Sequence, residues 1–172
     1  DYNGASQEGF GYYQVTQKGG RRYSASRAFL DPIRGRDNLK IETDAFASKV
    51  MLEGKKAVGI HYTVHGFPRE VRANKDVILC AGAIQSPQLL ELSGIGQPSL
   101  LKEHGIDVVH ELAGVGENHQ DHYISRMAWK VKQPVTLNER VRGLPLLVEG
   151  LKLIFQGKGA LTMPAGIAHG FI

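Results

Sequence analysis

The run VILCAGAIQSPQLLELSGIG, residues 77–96, constrains the fold of this chain more than any other stretch. Val77, Ile78, Leu79 and Cys80 are apolar without alternation, the pattern of a strand covered on both faces at the centre of a parallel sheet. Ala81, Gly82 and Ala83 follow with almost no side chain. A buried parallel strand that ends this way brings main chain to the carboxyl edge of its sheet, where open α/β sheets hold their ligands. Ser86 and Pro87 then read as the N-cap and first residue of a helix that reaches Ser93 and stops at Gly94. The unsatisfied N–H groups of such a helix start favour an anion. The same small residues also permit plain tight packing of strand on helix, and the run by itself leaves both uses open.

The surroundings fit a mixed α/β architecture. Residues 1–18 are rich in Gly, Gln and Tyr and read as a loop with one extended piece at 12–16. Ser24 can cap a short helix whose Ala28, Phe29 and Leu30 end at Asp31-Pro32. The period then changes to two, and residues 38–43, 46–53, 56–64 and 68–73 read as strands, with turns at Glu53-Gly54-Lys55 and His65-Gly66-Phe67. These form an antiparallel ribbon inserted into the larger α/β sheet to which residues 77–80 belong. Residues 98–104 read as a helix stopped by Gly105, with Ile106 placed for the hydrophobic contact of a C-cap. Residues 107–112 read as a strand, 114–122 as a loop and 124–131 as a further strand. Thr136-Leu-Asn-Glu139 has the capping-box pattern, and Leu144, Leu147, Leu151 and Ile154 make the apolar stripe of a helix ending at Gly157. Three parts are expected: a loop and short helix (1–36), a central α/β part (37–122) and the start of another domain (123–172).

Bulk properties exclude several classes. Lys plus Arg outnumber Asp plus Glu by 21 to 17 but are spread along the chain, which argues against nucleic acid as a partner. One cysteine, Cys80, forms no internal disulfide, and no apolar run approaches the roughly 20 residues of a membrane-spanning helix. The expectation is a soluble cytoplasmic protein, with peripheral attachment to a membrane left open. Both termini read as cut ends of a longer sequence.

Other constellations carry less. His119 and His122 have a metal-ligand spacing if helical, yet Gly114 and Gly116 make the segment a loop, and no third ligand is evident; no metal is expected. Ser86, Asp121 and His122 resemble a hydrolase triad in composition only, because Ser86 lacks the G-x-S-x-G elbow. Gly9-x-Gly11 lacks the third glycine of a phosphate cradle. Cys80 reads as a small buried hydrophobe.

The string GAIQSPQLLELSGIG, residues 82–96, resembles the second signature of the glucose-methanol-choline (GMC) family of FAD-dependent oxidoreductases. NGASQEGFGYYQVTQKGGRRYSASRAFLDP (3–32) and GVGENHQDH (114–122) resemble matching segments of its choline dehydrogenase branch. The resemblance implies that 37–122 is part of a Rossmann-like FAD-binding domain and that 123–172 begins a substrate domain. It also implies a set of cofactor-binding residues. Ala47, where the family usually has Val, would bracket adenine with its main chain. Ala81, Gly82 and Ala83 would line the cofactor cleft, and Gly116, Asn118 and Asp121 would approach the flavin and diphosphate. His119 for Leu and Gln85 for Asn are mild departures.

The reaction implied is hydride transfer to FAD from the CH–OH group of choline or another primary alcohol. The family's catalytic His pair or His–Asn pair is expected beyond Ile172, and His169 is not taken as the base. This chain alone is therefore expected to be inactive. Two other readings stand beside this one: a hydroxynitrile lyase-like relative that uses FAD without net redox turnover, and a non-catalytic piece that self-associates through unpaired strand edges.

Overall fold

Alternating apolar and polar residues between 45 and 72 close into a three-stranded antiparallel meander: β4 (Ala45–Glu53), β5 (Lys56–Val64) and β6 (Phe67–Arg72), in that order. Both turns are dictated locally. Glu53 pairs with Lys56 across a two-residue loop whose Gly54 has φ +61°, and Val64 pairs with Phe67 across His65-Gly66, both at positive φ. Two such residues in succession give the turn whose twist matches that of the flanking strands. This is a computed structural model, and it describes residues 3–125, 127–128, 130–164, 166 and 168–171.

The chain divides into two compact units, residues 41–125 and residues 1–40 with 126–172. In the first, the meander carries helix α1 (Gly82–Leu92), followed by β7 (Ile95–Gly96), α2 (Pro98–Glu103) and β8 (His110–Glu111), which pairs parallel with β7. Val50 and Val58 from the sheet, Leu89 from α1, Leu101 from α2 and Val115 form the buried core. Helix α2 ends as its sequence predicts. The Ile106 N–H donates to the Leu101 carbonyl at 2.8 Å and the Gly105 N–H to that of Lys102 at 3.1 Å, the paired bonds of a left-handed glycine stop.

In the second unit, β1 (Gly9–Tyr12) pairs antiparallel with β9 (Ala168–Phe171), and β2 (Gln17–Lys18) with β3 (Arg21–Arg22) around Gly19-Gly20. The N-cap of the short helical turn Ser26–Leu30 is Ala25, one residue after the predicted Ser24, whose hydroxyl accepts the Arg27 N–H at 3.4 Å. At the start of α3 (Leu137–Arg140) the Thr136 hydroxyl donates to the Glu139 carboxylate, a side-chain pair in place of the hydroxyl-to-amide bond of the predicted box, which does not form. Helix α4 (Gly143–Gln156) stops at Gly157 in the left-handed conformation. Its one buried side chain is Glu149, not its apolar stripe. The Glu149 carboxylate accepts from Lys152 Nζ at 2.7 Å and from the Ala160 N–H at 2.6 Å.

The Lys152 ammonium, and then the Ala160 amide, hold the Glu149 carboxyl below its ordinary value. A depressed folded value means that this stabilisation is complete above the unfolded value near 4.5 and is lost as pH falls below it. Thermal unfolding followed from pH 7 to pH 3.5 should show a loss of stability on the acid side of about 4.5, by linkage. In Glu149→Gln that acid step should shrink while stability at neutral pH falls. An unchanged acid step would remove Glu149 from this role.

Several predicted strands do not form. Residues 77–80 belong to no strand, and Ile78 and Cys80 are exposed, so neither the doubly covered strand nor the buried cysteine is present. A strand needs a neighbour to take its backbone groups, and among the described residues none lies alongside. Residues 38–43 lack a ladder for the same reason, and of 107–112 only His110 and Glu111 pair. The strand expected over 124–131 is absent from its described residues; Arg126 and Trp129 lie outside them. The mixed α/β character stands, and the inserted antiparallel ribbon is β4–β6.

Candidate functional site

Helix α1 starts five residues earlier than its Ser-Pro pair suggests, and this is what shapes the site. Ala81 is the N-cap and Gly82 has φ +89°, a conformation that any Cβ would strain. No atom lies within 4 Å of where a Gly82 side chain would begin, and Ala81, Gly82 and Ala83 are all exposed. The small residues therefore do not serve tight packing here; they leave bare peptide facing open space.

Ser86 is inside the helix, not its cap. Its hydroxyl reaches back to accept the Ala81 N–H at 3.1 Å and so fixes the bend. Pro87 is also internal, and its missing N–H withholds the donor that would otherwise take the Ala83 carbonyl. The bend thus offers the first-turn N–H groups, which the helix itself cannot satisfy, next to an underused carbonyl. The end of the helix dipole makes that spot favourable for negative charge.

The remaining predicted residues sit on two other elements of the same unit. Ala47 lies in β4 and pairs with Tyr62, while Lys49 pairs with His61, so the ladder shifts register between them. The Ser48 hydroxyl donates to the His61 carbonyl at 3.1 Å across this bulge. A bulge frees backbone groups from the ladder beside Ala47, and nothing in the sequence announces it.

Gly116 has φ +79°, and the Glu91 carboxylate of α1 lies 2.7 Å from where its Cβ would be. Buried Val115 anchors this turn. Beyond it Asn118 also has positive φ, which Asn tolerates, and Asp121 accepts the His122 N–H at 2.7 Å. Asn118, Asp121 and His119 are exposed.

These residues do not form one tight cluster. Ala81, Gly82 and Ala83 are contiguous at the N-terminal end of α1, whereas Gly116 rests against Glu91, nine residues or roughly 13 Å further along the helix. Only an elongated ligand could touch both ends. What joins β4 to α1 is a residue that the sequence reading overlooked. Fully buried Ser93 accepts the Val50 N–H at 2.8 Å and donates to the Leu89 carbonyl at 2.5 Å. In the unit of residues 1–40 and 126–172, the His169 ring of β9 lies 4.6 Å from that of Tyr13, tilted by 47°. Among the described residues no group of three or more His, Cys, Asp or Glu could hold a metal ion, and no helix is long and apolar enough to cross a membrane.

Residues 1–124 match the family described as GMC oxidoreductase. The chain belongs to the GMC oxidoreductase family. Its GMC relatives include an oxygen-dependent choline dehydrogenase of Chromohalobacter salexigens, 47% identical over the whole chain and 31% of that relative. An alcohol dehydrogenase [acceptor] of Pseudomonas putida is 43% identical over the whole chain and 32% of its own length. Among solved structures, an FAD-dependent oxidoreductase from Chaetomium thermophilum superposes with TM-score 0.74 at 26% identity, covering 87% of this chain and 27% of that one. The chain thus spans about a third of the length of the curated GMC relatives it matches.

Proposed function

We propose that this chain is the part of an FAD-dependent alcohol oxidoreductase that holds the cofactor by its backbone, and that the substrate is choline or another primary alcohol. The observation that carries the reading is the Gly82 bend: an exposed, positive-φ glycine at the start of an 11-residue helix, inside a segment shared with choline and alcohol dehydrogenases. FAD, when bound, supplies the acceptor for the hydride that leaves the alcohol carbon.

The residues of this chain would bind and orient. The first-turn N–H groups from Gly82 and Ala83 would donate to an anionic oxygen, and the Ala83 carbonyl would accept from a polar edge of the ligand. The Ala47 main chain would bracket adenine where the bulge frees it. Gly116, Asn118 and Asp121 would approach the ligand from the far end of α1. The segment 37–122 then belongs to the FAD-binding domain and 123–172 opens the substrate domain.

In an enzyme of the relatives' length carrying this sequence, added choline or a primary alcohol should bleach the oxidised flavin spectrum under anaerobic conditions. A protein that copurifies without flavin, or whose flavin stays oxidised with every alcohol, would reject the reading. Gly82→Val should lower FAD affinity about tenfold or more, because a charge-assisted backbone hydrogen bond is lost to the side chain. FAD titration by fluorescence quenching measures this, and unchanged affinity would take Gly82 out of the site.

A further inference from the structure

The turn that carries Gly116, Asn118 and Asp121 is fastened on one side only. Up to residue 115 it is tied down: the Leu112 N–H donates to the Gly96 carbonyl at 3.0 Å, the Val115 N–H to that of Leu112 at 3.1 Å, and the Val115 side chain is buried. Beyond it the bonds are local. The Glu117 N–H reaches back to the Gly114 carbonyl at 3.4 Å, and the Asp121 carboxylate accepts the N–H of its neighbour His122. Neither fixes the turn against α1.

The side chain that does reach across is Glu91, from the last turn of α1. It runs between two glycines. Its Cγ lies 3.2 Å from where a Gly96 Cβ would begin, and its Oε1 lies 2.7 Å from where a Gly116 Cβ would begin. The slot that Glu91 fills exists because positions 96 and 116 carry no side chain.

Glu91 is costly where it stands. A negative charge at the C-terminal end of a helix opposes the helix dipole, and the last turn of α1 holds no basic residue. Among the described residues no cation pairs with this carboxylate, and it is half-buried, which adds a desolvation cost. The charge therefore does nothing for α1, and what the turn uses is the length and shape of the side chain. Local conflicts of this kind concentrate where a chain serves function over stability.

We propose that Glu91 is a positioning residue for the cofactor: wedged against Gly96 and Gly116, it sets the distance of the 116–121 turn from α1. Gly116 and Asn118 are thereby placed to meet a ligand that also lies on the Gly82 bend. This role rests on the flavin reading above, and Glu91 acts through Gly116 without touching the ligand.

Two variants separate shape from charge. Glu91→Gln keeps the length of the side chain and removes the charge; Glu91→Ala removes the wedge. In this chain, backbone order parameters of residues 116–119 measured by nitrogen-15 relaxation should fall below about 0.6 in Glu91→Ala and keep the parent's values in Glu91→Gln, with those of α1 the same in all three proteins. In an enzyme of the relatives' length, the FAD dissociation constant should rise about tenfold or more in Glu91→Ala and return to the parent's in Glu91→Gln. Unchanged order at 116–119 or unchanged FAD affinity in Glu91→Ala overturns the proposal. So does an equal loss in Glu91→Gln, which would make the charge the agent. If Gly82→Val weakens FAD binding while Glu91→Ala does not, this role falls and the flavin reading stands; a parent enzyme that takes up no flavin rejects both.

Discussion

Gly94→Ala is expected to destabilise the unit formed by residues 41–125 by about 3 kcal/mol, the sum of two separable effects. Gly94 closes α1 with φ +87°, a conformation that costs an L-residue about 1–2 kcal/mol. Its Cβ would also fall 2.5 Å from the Asp107 carbonyl oxygen and 2.8 Å from Val109 Cγ2. Overpacking of that kind typically adds about 1–3 kcal/mol. The backbone has little room to yield, because the Gly94 carbonyl accepts the N–H groups of both Val109 and His110 and so starts the β7–β8 pairing. Gly105→Ala separates the two effects. Gly105 has φ +68° with nothing within 4 Å of a Cβ, so its substitution should cost only the conformational part, about 1 kcal/mol. Urea unfolding of both variants gives the comparison. If they lose the same stability, the clash at Gly94 is relieved by movement and the argument fails.

The contrast between these glycines marks what could be read from the chain itself. Features fixed within a few residues were legible: the His65-Gly66 turn, the paired hydrogen bonds at Gly105 and the left-handed end of α4 at Gly157. Each depends on local φ preference. Features that depend on distant neighbours were not. Residues 77–80 have the composition of a central strand, but composition supplies no ladder partner. The α4 stripe has the period of a buried face, and the period is silent on what covers it. At the site, Gly82 and Gly116 stand where the backbone takes positive φ, the conformation that glycine adopts at least cost. The early start of α1 was hidden because Ser86-Pro87 imitates a helix beginning so well. The bulge beside Ala47 depends on pairing with Tyr62 and His61, and Ser93 bonds Val50 from 43 residues away; no local pattern encodes either.

Ser93 leads to the second large effect. Its hydroxyl is fully buried and satisfies two groups at once, the Val50 N–H on the edge of β4 and the Leu89 carbonyl in α1. In Ser93→Ala the Leu89 carbonyl loses its hydroxyl donor, and the Val50 amide is left buried without that acceptor. An orphaned buried donor costs about 1–3 kcal/mol, so a loss near 2 kcal/mol is expected. That energy should appear locally before it appears globally: hydrogen exchange of the Val50 amide should accelerate by about 30-fold, the equilibrium factor that corresponds to 2 kcal/mol. A further consequence follows from position. The same bond also sets β4, with Ala47, against α1, with Ala81, Gly82 and Ala83. If those residues share one elongated cofactor, Ser93→Ala should weaken FAD binding without touching any atom of the ligand. Ser93→Cys, which retains a weak acceptor of similar size, should recover part of both losses. Equal exchange rates at Val50 in the parent and in Ser93→Ala would show that helix and sheet are held in place without this bond.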